Sequence, residues 1–214
     1  MKIIDLSHSM YSDMPVYPGD EPPEFKKITT ISKEGYRETG ITIYSHTGTH
    51  IDAPAHMLKQ GNFLENIDID SFVGKAFILD FTNYKSSEIS LNLLIPYQEK
   101  IKKTDFVIIK TGWSKYWGKE NYYKDYPFLQ KKAAVWLSGF KLKGIGIDAM
   151  SIDKSDSIDF VIHKTLLSKN IIIIENLTNL ESIKKESFIL NVLPLKYKNS
   201  DGSPVRAAAI EDIE

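Results

Sequence analysis

Three of the chain's five histidines lie within eleven residues, in the segment HTGTHIDAPAH from His46 to His56. Alternate side chains of an extended chain point to one face, so the three histidines and Asp52, all at even positions, would face the same way. Imidazole and carboxylate groups are the usual nitrogen and oxygen ligands of zinc, manganese and iron. The segment therefore predicts a metal site, and its spacing does not choose among these metals.

The backbone of this segment must curve to bring its ligands onto one ion. Six residue steps from His46 to Asp52 would cover roughly 20 Å in a straight strand, whereas ligand atoms lie only about 2 Å from a bound metal. Gly48 permits the backbone angles that a tight curve needs, and Pro54 fixes the backbone where the curve ends. We therefore expect a curled segment rather than a regular strand or helix.

Two further candidates lie in the distant half of the chain. Glu175 ends the hydrophobic run IIIIEN, and a carboxylate at the end of a buried strand is costly unless it meets a cation or hydrogen-bond donors. His163 lies in the apolar segment IDFVIHKTLL, and from its residues alone it fits an ordinary histidine on a half-buried helix better than a ligand. If a metal does lie there, the carboxylates of Glu175 and Asp52 have enough oxygens to bridge two ions.

The elements that position these residues are predicted from hydrophobic patterning. Seven β-branched runs between turn residues predict strands: KIIDLS, ITIYSH, KAFILDFT, DFVIIKTG, GIGID, NIIIIENL and SFILNVLPL. Residues 17–25, YPGDEPPEF, follow Pro15 in a proline-rich stretch that predicts a stiff, irregular loop, and long ordered loops are often functional. The mixture of strands and helices predicts an α/β or α+β fold whose sheet carries most of the core.

Two helices interrupt these strands. Residues 126–140, YPFLQKKAAVWLSGF, have Pro127 in a first-turn position and apolar residues that can share an inward side. The members of that side are Phe128, Trp136, Leu137 and Phe140. The second helix is expected from about residue 156 to 169, with Ser155 and Asp156 as candidate N-caps. Its inward face would contain Phe160, His163 and Leu167.

Composition excludes several classes of protein. The 214 residues are 42% hydrophobic and 26% charged with a formal net charge of −1, which is typical of one soluble globular domain spanning 1–214. No basic excess indicates binding to nucleic acid or to a membrane surface, and no segment is long enough to span a membrane. Asp5 and His8 interrupt the first ten residues where a signal peptide would be apolar, so we expect a cytoplasmic protein. With no cysteine, any metal must be bound by nitrogen and oxygen.

The segment from His46 to His56 fits every fixed position of a family hallmark, His-x-Gly-Thr-His-x-Asp-x-Pro-x-His. This is the hallmark of the metal-dependent cyclase-like hydrolases, a family that includes bacterial kynurenine formamidase (arylformamidase). The chain resembles the family over nearly its whole length and in the family's order. The matching pieces are DLSHSMYSDMPVYPGD, KTGW, GIGIDAMSID, HKTLLSKNIIIIENL and LPLKYKNSDGSPVRAAAI. The resemblance implies a single-domain swivelling β/β/α fold, assembled as a homodimer or a larger homo-oligomer.

The resemblance also implies a ligand set for two divalent ions in each chain, zinc by expectation and manganese as the alternative. His46, His50 and Asp52 would bind one ion. Asp52 and His163 would bind the second, and Glu175 would contact both. The twelve-residue step from His163 to Glu175 fits the family's pattern, which favours His163 as a ligand more strongly than its own surroundings do.

His56 is then implied to be the catalytic acid and base. Our leading hypothesis is that hydroxide on the metal attacks the formyl carbonyl of an aryl formamide, while His56 passes a proton to the departing nitrogen. The best candidate substrate is N-formyl-L-kynurenine, which would yield L-kynurenine and formate in tryptophan degradation. The alternatives are the opening of another amide, lactam or isatin-like cyclic imide, and a non-catalytic metal-binding protein.

The chain departs from the formamidases at the expected substrate pocket. Tyr17 stands where they typically have a tryptophan that packs against the aromatic substrate. Tyrosine keeps a flat face but is smaller and has a hydroxyl, and we expect its ring to contact the substrate; the alternative is that it only packs the loop against the protein. Ala149 and Met150 replace a more usual Thr-Pro pair, so we expect them to reshape a loop near the pocket.

Overall fold

Residues 1–211 are described by a computed structural model. Their strands are β1 (Lys2–Asp5), β2 (Glu24–Thr29), β3 (Glu38–Thr42), β4 (His50–Asp52), β5 (Val73–Asp80), β6 (Glu88–Ile89), β7 (Phe106–Lys110), β8 (Phe128–Leu129), β9 (Gly144–Ile147), β10 (Ile172–Glu175), β11 (Ser187–Asn191), β12 (Gly202–Pro204) and β13 (Ala208–Glu211). The α-helices are α1 (Ile31–Glu34), α2 (Leu91–Leu94), α3 (Gln98–Ile101), α4 (Lys131–Leu137) and α5 (Val161–Leu167). Short 3₁₀ helices cover Pro54–His56, Leu64–Asn66, Ile69–Phe72, Ile95–Tyr97, Trp113–Tyr116, Glu120–Tyr123 and Leu180–Ser182.

A nine-stranded mixed sheet, in the order β1-β13-β11-β5-β7-β9-β10-β4-β12, runs through the protein. Its centre is parallel, from β5 through β7 and β9 to β10, and the flanking strands pair antiparallel. Parallel strands covered on both faces read as continuous apolar runs, which explains the sequences of β7 and β10. Two short pairs, β2 with β3 and β6 with β8, lie outside this sheet. The predicted mixed α/β class is confirmed.

The two faces of the sheet carry separate apolar clusters, and the strands divide their side chains between them. Val107 and Ile109 of β7 belong to the cluster that also contains residues of α4 and α5. Phe106 and Ile108 belong to the cluster on the opposite face. This alternation is the two-residue period of an extended strand, and it fixes which side chains of each strand can meet α5.

Six of the seven predicted strands form as expected. The exception is ITIYSH, of which only the first two residues lie in a strand, at the end of β3. Thr47 closes a turn by accepting a hydrogen bond from the backbone N–H of Tyr44 at its hydroxyl, at 3.0 Å. The chain therefore leaves the β2–β3 hairpin at Thr42 and turns before it reaches the histidine cluster.

The first predicted helix is shorter than its pattern indicates, because α4 begins only at Lys131. Phe128 and Leu129 form β8 and pair with β6, and the backbone N–H of Phe128 donates to the carbonyl of Ser87 at 2.8 Å. Pro127 therefore precedes a strand, and its assignment to a first helical turn was wrong. The apolar residues of 126–140 are therefore divided between β8 and α4, and both elements pack into the same apolar cluster.

The second predicted helix also starts later, because α5 begins at Val161. Phe160 has a left-handed backbone (φ 47°) that interrupts any earlier helical turn. The first-turn N–H groups, which have no partner inside the helix, donate to a more distant carboxylate: those of Ile162 and His163 meet the Asp153 oxygens at 3.0 and 2.9 Å. Ser155 and Asp156 were therefore wrongly predicted as caps. Within residues 1–211 no helix is long and apolar enough to cross a membrane.

Candidate metal centre and active site

Strands β4 and β10 bring three of the predicted ligands onto one face. They pair antiparallel, with His50 opposite Glu175 and Asp52 opposite Ile173. Because Ile51 packs on the other face, its neighbours His50 and Asp52 must point to this one. His50 Nε2 lies 3.3 Å from Asp52 Oδ1 and 3.7 Å from Glu175 Oε2. One donor atom from each of these three buried residues lies within 4.8 Å of the others, which is compatible with a shared ion.

Helix α5 packs against β10 and brings His163 to the same place. His163 Nε2 lies 3.4 Å from Asp52 Oδ2 and 3.3 Å from Glu175 Oε1. Its other ring nitrogen, Nδ1, is 2.6 Å from Asp153 Oδ2, so Asp153 fixes both the ring and the start of the helix. His163 is 3% exposed. It is a buried imidazole between two carboxylates, and not a histidine on a half-buried helical surface.

The curve between His46 and His50 has the backbone that was expected at its glycine. Gly48 is in the left-handed region (φ 68°), and a Cβ there would lie 3.1 Å from the Met14 methyl carbon. Nδ1–H of His50 donates to the Gly48 carbonyl at 2.8 Å, which leaves Nε2 of that ring facing the carboxylates. The turn brings the residues on its two sides together, so that Nδ1 of His46 lies 2.6 Å from Oδ1 of Asp52.

His56 ends the 3₁₀ helix that begins at Pro54, and its ring lies beside the ligand cluster. The ring centroid is 3.9 Å from that of His46 and 6.2 Å from that of His163. Its side chain is 26% exposed, whereas those of His50 and His163 are buried. Burial lowers the pKa of His56. His46, Asp52 and His56 also have donor atoms within 4.8 Å of one another, so the geometry alone permits His56 to share an ion.

The donor set fits a divalent metal. Asp52 Oδ2 is buried and, within residues 1–211, has no hydrogen-bond partner, which is costly for a carboxylate oxygen unless a cation lies near it. Burial alone would lower the pKa of His163, but the charge of Glu175 and the hydrogen bond to Asp153 hold it well above its usual value. Burial also opposes a charge on His46, but the carboxylates of Asp52 and Asp201 outweigh it and raise the pKa of His46 to about 10. Without a metal, protons on these histidines balance the negative charge of the buried carboxylates. A bound divalent cation would balance that charge in their place.

A cavity of about 390 Å³ opens onto this cluster. All seven residues proposed from the sequence line it: Tyr17, His46, His50, Asp52, His56, His163 and Glu175. Its apolar wall includes Val16, Met57, Met150 and Phe160. Met150 lines the pocket, and Ala149 next to it is fully buried and does not line it. A small apolar cavity with convergent polar groups is the usual form of a binding site for a small molecule.

Two acidic residues of the site were missed by the sequence reasoning. Asp153 holds His163, as described above, and Asp201 Oδ2 lies 3.1 Å from His46 Nε2 and 3.7 Å from His56 Nδ1. Next to it, Gly202 leaves room for the His46 ring, since a Cβ at 202 would lie 2.5 Å from its Cε1 atom. Both residues lie in segments that resemble the family, Asp153 in GIGIDAMSID and Asp201 in LPLKYKNSDGSPVRAAAI. Neither residue is spaced from another candidate ligand in a way that would have indicated its role.

Comparisons with known proteins find relatives of this chain in sequence and in fold. A family model described as "Putative cyclase" matches residues 4–154. The chain is 32% identical over 208 residues to the kynurenine formamidase of Bacillus anthracis, covering 96% of each chain. It is 31% identical over 207 residues to the kynurenine formamidase of Geobacillus thermodenitrificans, covering 96% of this chain and 95% of the relative.

Two solved structures share the fold. One, described as a "predicted metal-dependent hydrolase" from Bacillus stearothermophilus, has a TM-score of 0.76 and 30% identity, covering 97% of each chain. The other is isatin hydrolase A from Labrenzia aggregata bound to benzyl benzoate, with a TM-score of 0.87 and 24% identity, covering 97% of this chain and 93% of that one. At that identity the second likeness shows the fold alone.

Proposed function

The chain belongs to the cyclase family, and from this premise we propose that it is a metal-dependent arylformamidase that hydrolyses N-formyl-L-kynurenine to L-kynurenine and formate. The observation that carries the proposal is the buried Asp52 carboxylate, which has an oxygen without a hydrogen bond in residues 1–211 and lies between His50 and His163 at the closed end of a cavity. The relatives that are about one-third identical over nearly the whole chain support the choice of substrate.

We propose two divalent ions per chain, zinc by expectation and manganese as the alternative. One ion would be held by His46, His50 and Asp52. The other would be held by Asp52 and His163, and Glu175 would contact both ions. When bound, such ions would polarise the amide carbonyl and lower the pKa of water. The protein's part is to orient these ligands, and Asp153 does this for His163 through Nδ1.

His56 is proposed as the acid and base. Its ring is open to the cavity and lies beside His46 without being enclosed by the two buried carboxylates, so it can meet both the attacking water and the departing nitrogen. A neutral imidazole accepts a proton at one nitrogen and can return it to the amine as the C–N bond breaks. This transfer lets the aryl amine leave in its neutral form.

Tyr17 is proposed to bind the aromatic ring of the substrate. Its side chain lines the cavity and is 36% exposed, so a substrate in the cavity can reach it. Stacking of two rings adds about 0.5–1.5 kcal/mol beyond the burial of their surfaces.

We also propose that the chain acts as one domain in a cytoplasmic homodimer or larger homo-oligomer. The hairpin of β2 and β3 supports this assembly, because it exposes large apolar residues that a partner would cover. These residues are Ile28, Ile31, Tyr36 and Ile41.

Purified protein assayed for metal content and for release of formate from N-formyl-L-kynurenine tests the proposal. We expect turnover that a chelator abolishes and that divalent metal restores, with His56→Ala as the inactive control. Opening of isatin without formamide hydrolysis would favour the cyclic-imide alternative. Bound metal with no turnover of either compound would favour a non-catalytic metal-binding protein.

A further inference from the structure

Residues 17–20, YPGD, form a tight turn at the open end of the cavity. The backbone N–H of Asp20 donates to the carbonyl of Tyr17 at 2.9 Å. Pro18 and Gly19 occupy the two central positions, and Gly19 has φ 103°, which is the arrangement of a type II turn. Such a turn brings its first and fourth residues together, and both of them line the cavity. The turn therefore presents a phenol ring and a carboxylate side by side.

The carboxylate of Asp20 is not used by the fold. Its side chain is exposed, and within residues 1–211 it forms no hydrogen bond or ion pair. The remainder of the turn is held by its own backbone hydrogen bond and by the conformations of Pro18 and Gly19, so it does not need this side chain.

Within residues 1–211, the exposed part of the cavity wall has an acidic side chain and no basic one. Tyr17, Asp20 and Tyr44 are the exposed residues of the lining, and they define the cavity mouth. Among the described residues of the lining there is no lysine or arginine. The other acidic residues, Asp52 and Glu175, are buried among histidines at the closed end. The mouth thus offers one free negative charge and aromatic faces, with no cation of its own.

A carboxylate beside an aromatic face is suited to bind an ammonium group. The carboxylate supplies an ion pair, and an ammonium over a tyrosine ring gains a cation–π attraction. A substrate carboxylate at the same position would be repelled by Asp20, and a neutral group would gain neither contact.

We propose that Asp20 and Tyr17 bind an ammonium group on the substrate, so that the site selects aryl amides with a positively charged side arm. The inference rests on the proposed hydrolysis for the reacting amide, but the charge preference rests on the cavity mouth itself. An aryl formamide with an amino-acid side chain has such a group. A neutral cyclic imide has none, so Asp20 favours the formamidase assignment over imide opening.

Binding of two matched probes to metal-loaded protein tests the charge preference without any turnover. 2-Phenylethylamine and 2-phenylethanol share the ring and chain and differ in charge at neutral pH. By NMR titration, we expect the wild-type protein to bind the amine roughly fivefold more tightly than the alcohol, as for a partly exposed ion pair. In Asp20→Asn the preference for the amine should fall through weaker amine binding, because only the cation–π contact with Tyr17 remains.

Glu21→Gln is the matched control. It removes a neighbouring exposed carboxylate that does not line this cavity, and it should keep the preference for the amine. Equal affinities in the wild-type protein, no binding of either probe, an unchanged preference in Asp20→Asn, or an equal loss in Glu21→Gln would each overturn the inference.

Kinetics separate this inference from the proposed function. Asp20→Asn should raise KM for N-formyl-L-kynurenine and leave KM for neutral formanilide unchanged, with kcat little affected for either. Failure of the wild-type protein to hydrolyse any formamide would reject the proposed function, while the probe titrations would still decide whether the mouth binds ammonium. If the wild-type protein hydrolyses both formamides and Asp20→Asn changes KM equally for both, only the role of Asp20 is rejected and the proposed function stands.

Discussion

Asp153 is predicted to couple the start of α5 to metal binding by His163. Its Oδ1 accepts from the N–H of Ile162 at 3.0 Å, and its Oδ2 accepts both from the N–H of His163 at 2.9 Å and from Nδ1 of the same residue at 2.6 Å. An asparagine has one carbonyl oxygen, so Asp153→Asn can keep the two bonds at Oδ2 or the one at Oδ1, but not all three. At least one buried N–H therefore loses its acceptor.

The size of the effect follows from these contacts. A buried donor left without a partner costs about 1–3 kcal/mol. Replacing the partner of a metal-bound histidine typically weakens metal binding by about 10–100-fold. Asp153→Asn should therefore lower the free energy of unfolding of the metal-free protein by about 1–3 kcal/mol. It should also raise the metal dissociation constant by at least about tenfold, in addition to any change in stability.

Urea unfolding of metal-free protein and competitive chelator titration of folded protein measure the two effects separately. Asp156→Asn is the matched control, because within residues 1–211 this exposed residue pairs only with Lys154 and does not hold the helix, although its position suggested a cap. We expect it to change stability by less than about 0.5 kcal/mol and to leave metal affinity unchanged. Wild-type metal affinity in Asp153→Asn, or equal destabilisation by both substitutions, would refute this reasoning.

Three further predictions concern the site and its supporting loop. His56→Ala should keep the metal and lose about a hundredfold to ten-thousandfold in kcat, whereas His50→Ala should lose metal as well; elemental analysis with steady-state assays distinguishes the two. Tyr17→Ala should mainly raise KM and Tyr17→Trp should be tolerated, while unchanged kinetics with a lower melting temperature would indicate that the ring only packs the loop. The hydroxyl of Ser200 and neighbouring N–H groups lower the pKa of Glu65 to about 2 from 4.5. Because the pKa is depressed by folding, the stabilisation is present above pH 4.5 and is lost as pH falls towards 2, so the melting difference between wild type and Glu65→Gln should shrink over that range.

Local sequence was enough to predict the features that depend on neighbouring residues. The β-branched runs DFVIIKTG and NIIIIENL predicted strands, and β7 and β10 form within them. The glycine at position 48 indicated a backbone that few other residues adopt, and its φ of 68° agrees. Motif resemblance supplied the ligand set, including His163, for which its own helix gave only a weak signal.

Segment boundaries were predicted less well because tertiary contacts override local preference. The pattern from 126 to 140 suits a helix, but hydrogen bonds to β6 hold Phe128 and Leu129 in an extended conformation. Asp156, at the predicted start of the helix, was a reasonable cap by local rules. The loop instead folds back so that Asp153 occupies that position.

The sequence by itself determined which residue types can bind metal and where the chain must curve, because these depend on side-chain chemistry and on single backbone angles. Only the tertiary structure decided which donor meets which acceptor. The register of β4 against β10 sets His50 opposite Glu175, and the return of the chain to β12 places Asp201 beside His46. Such contacts join residues far apart in the chain, and their geometry is fixed by sheet register and helix packing, which no local pattern encodes.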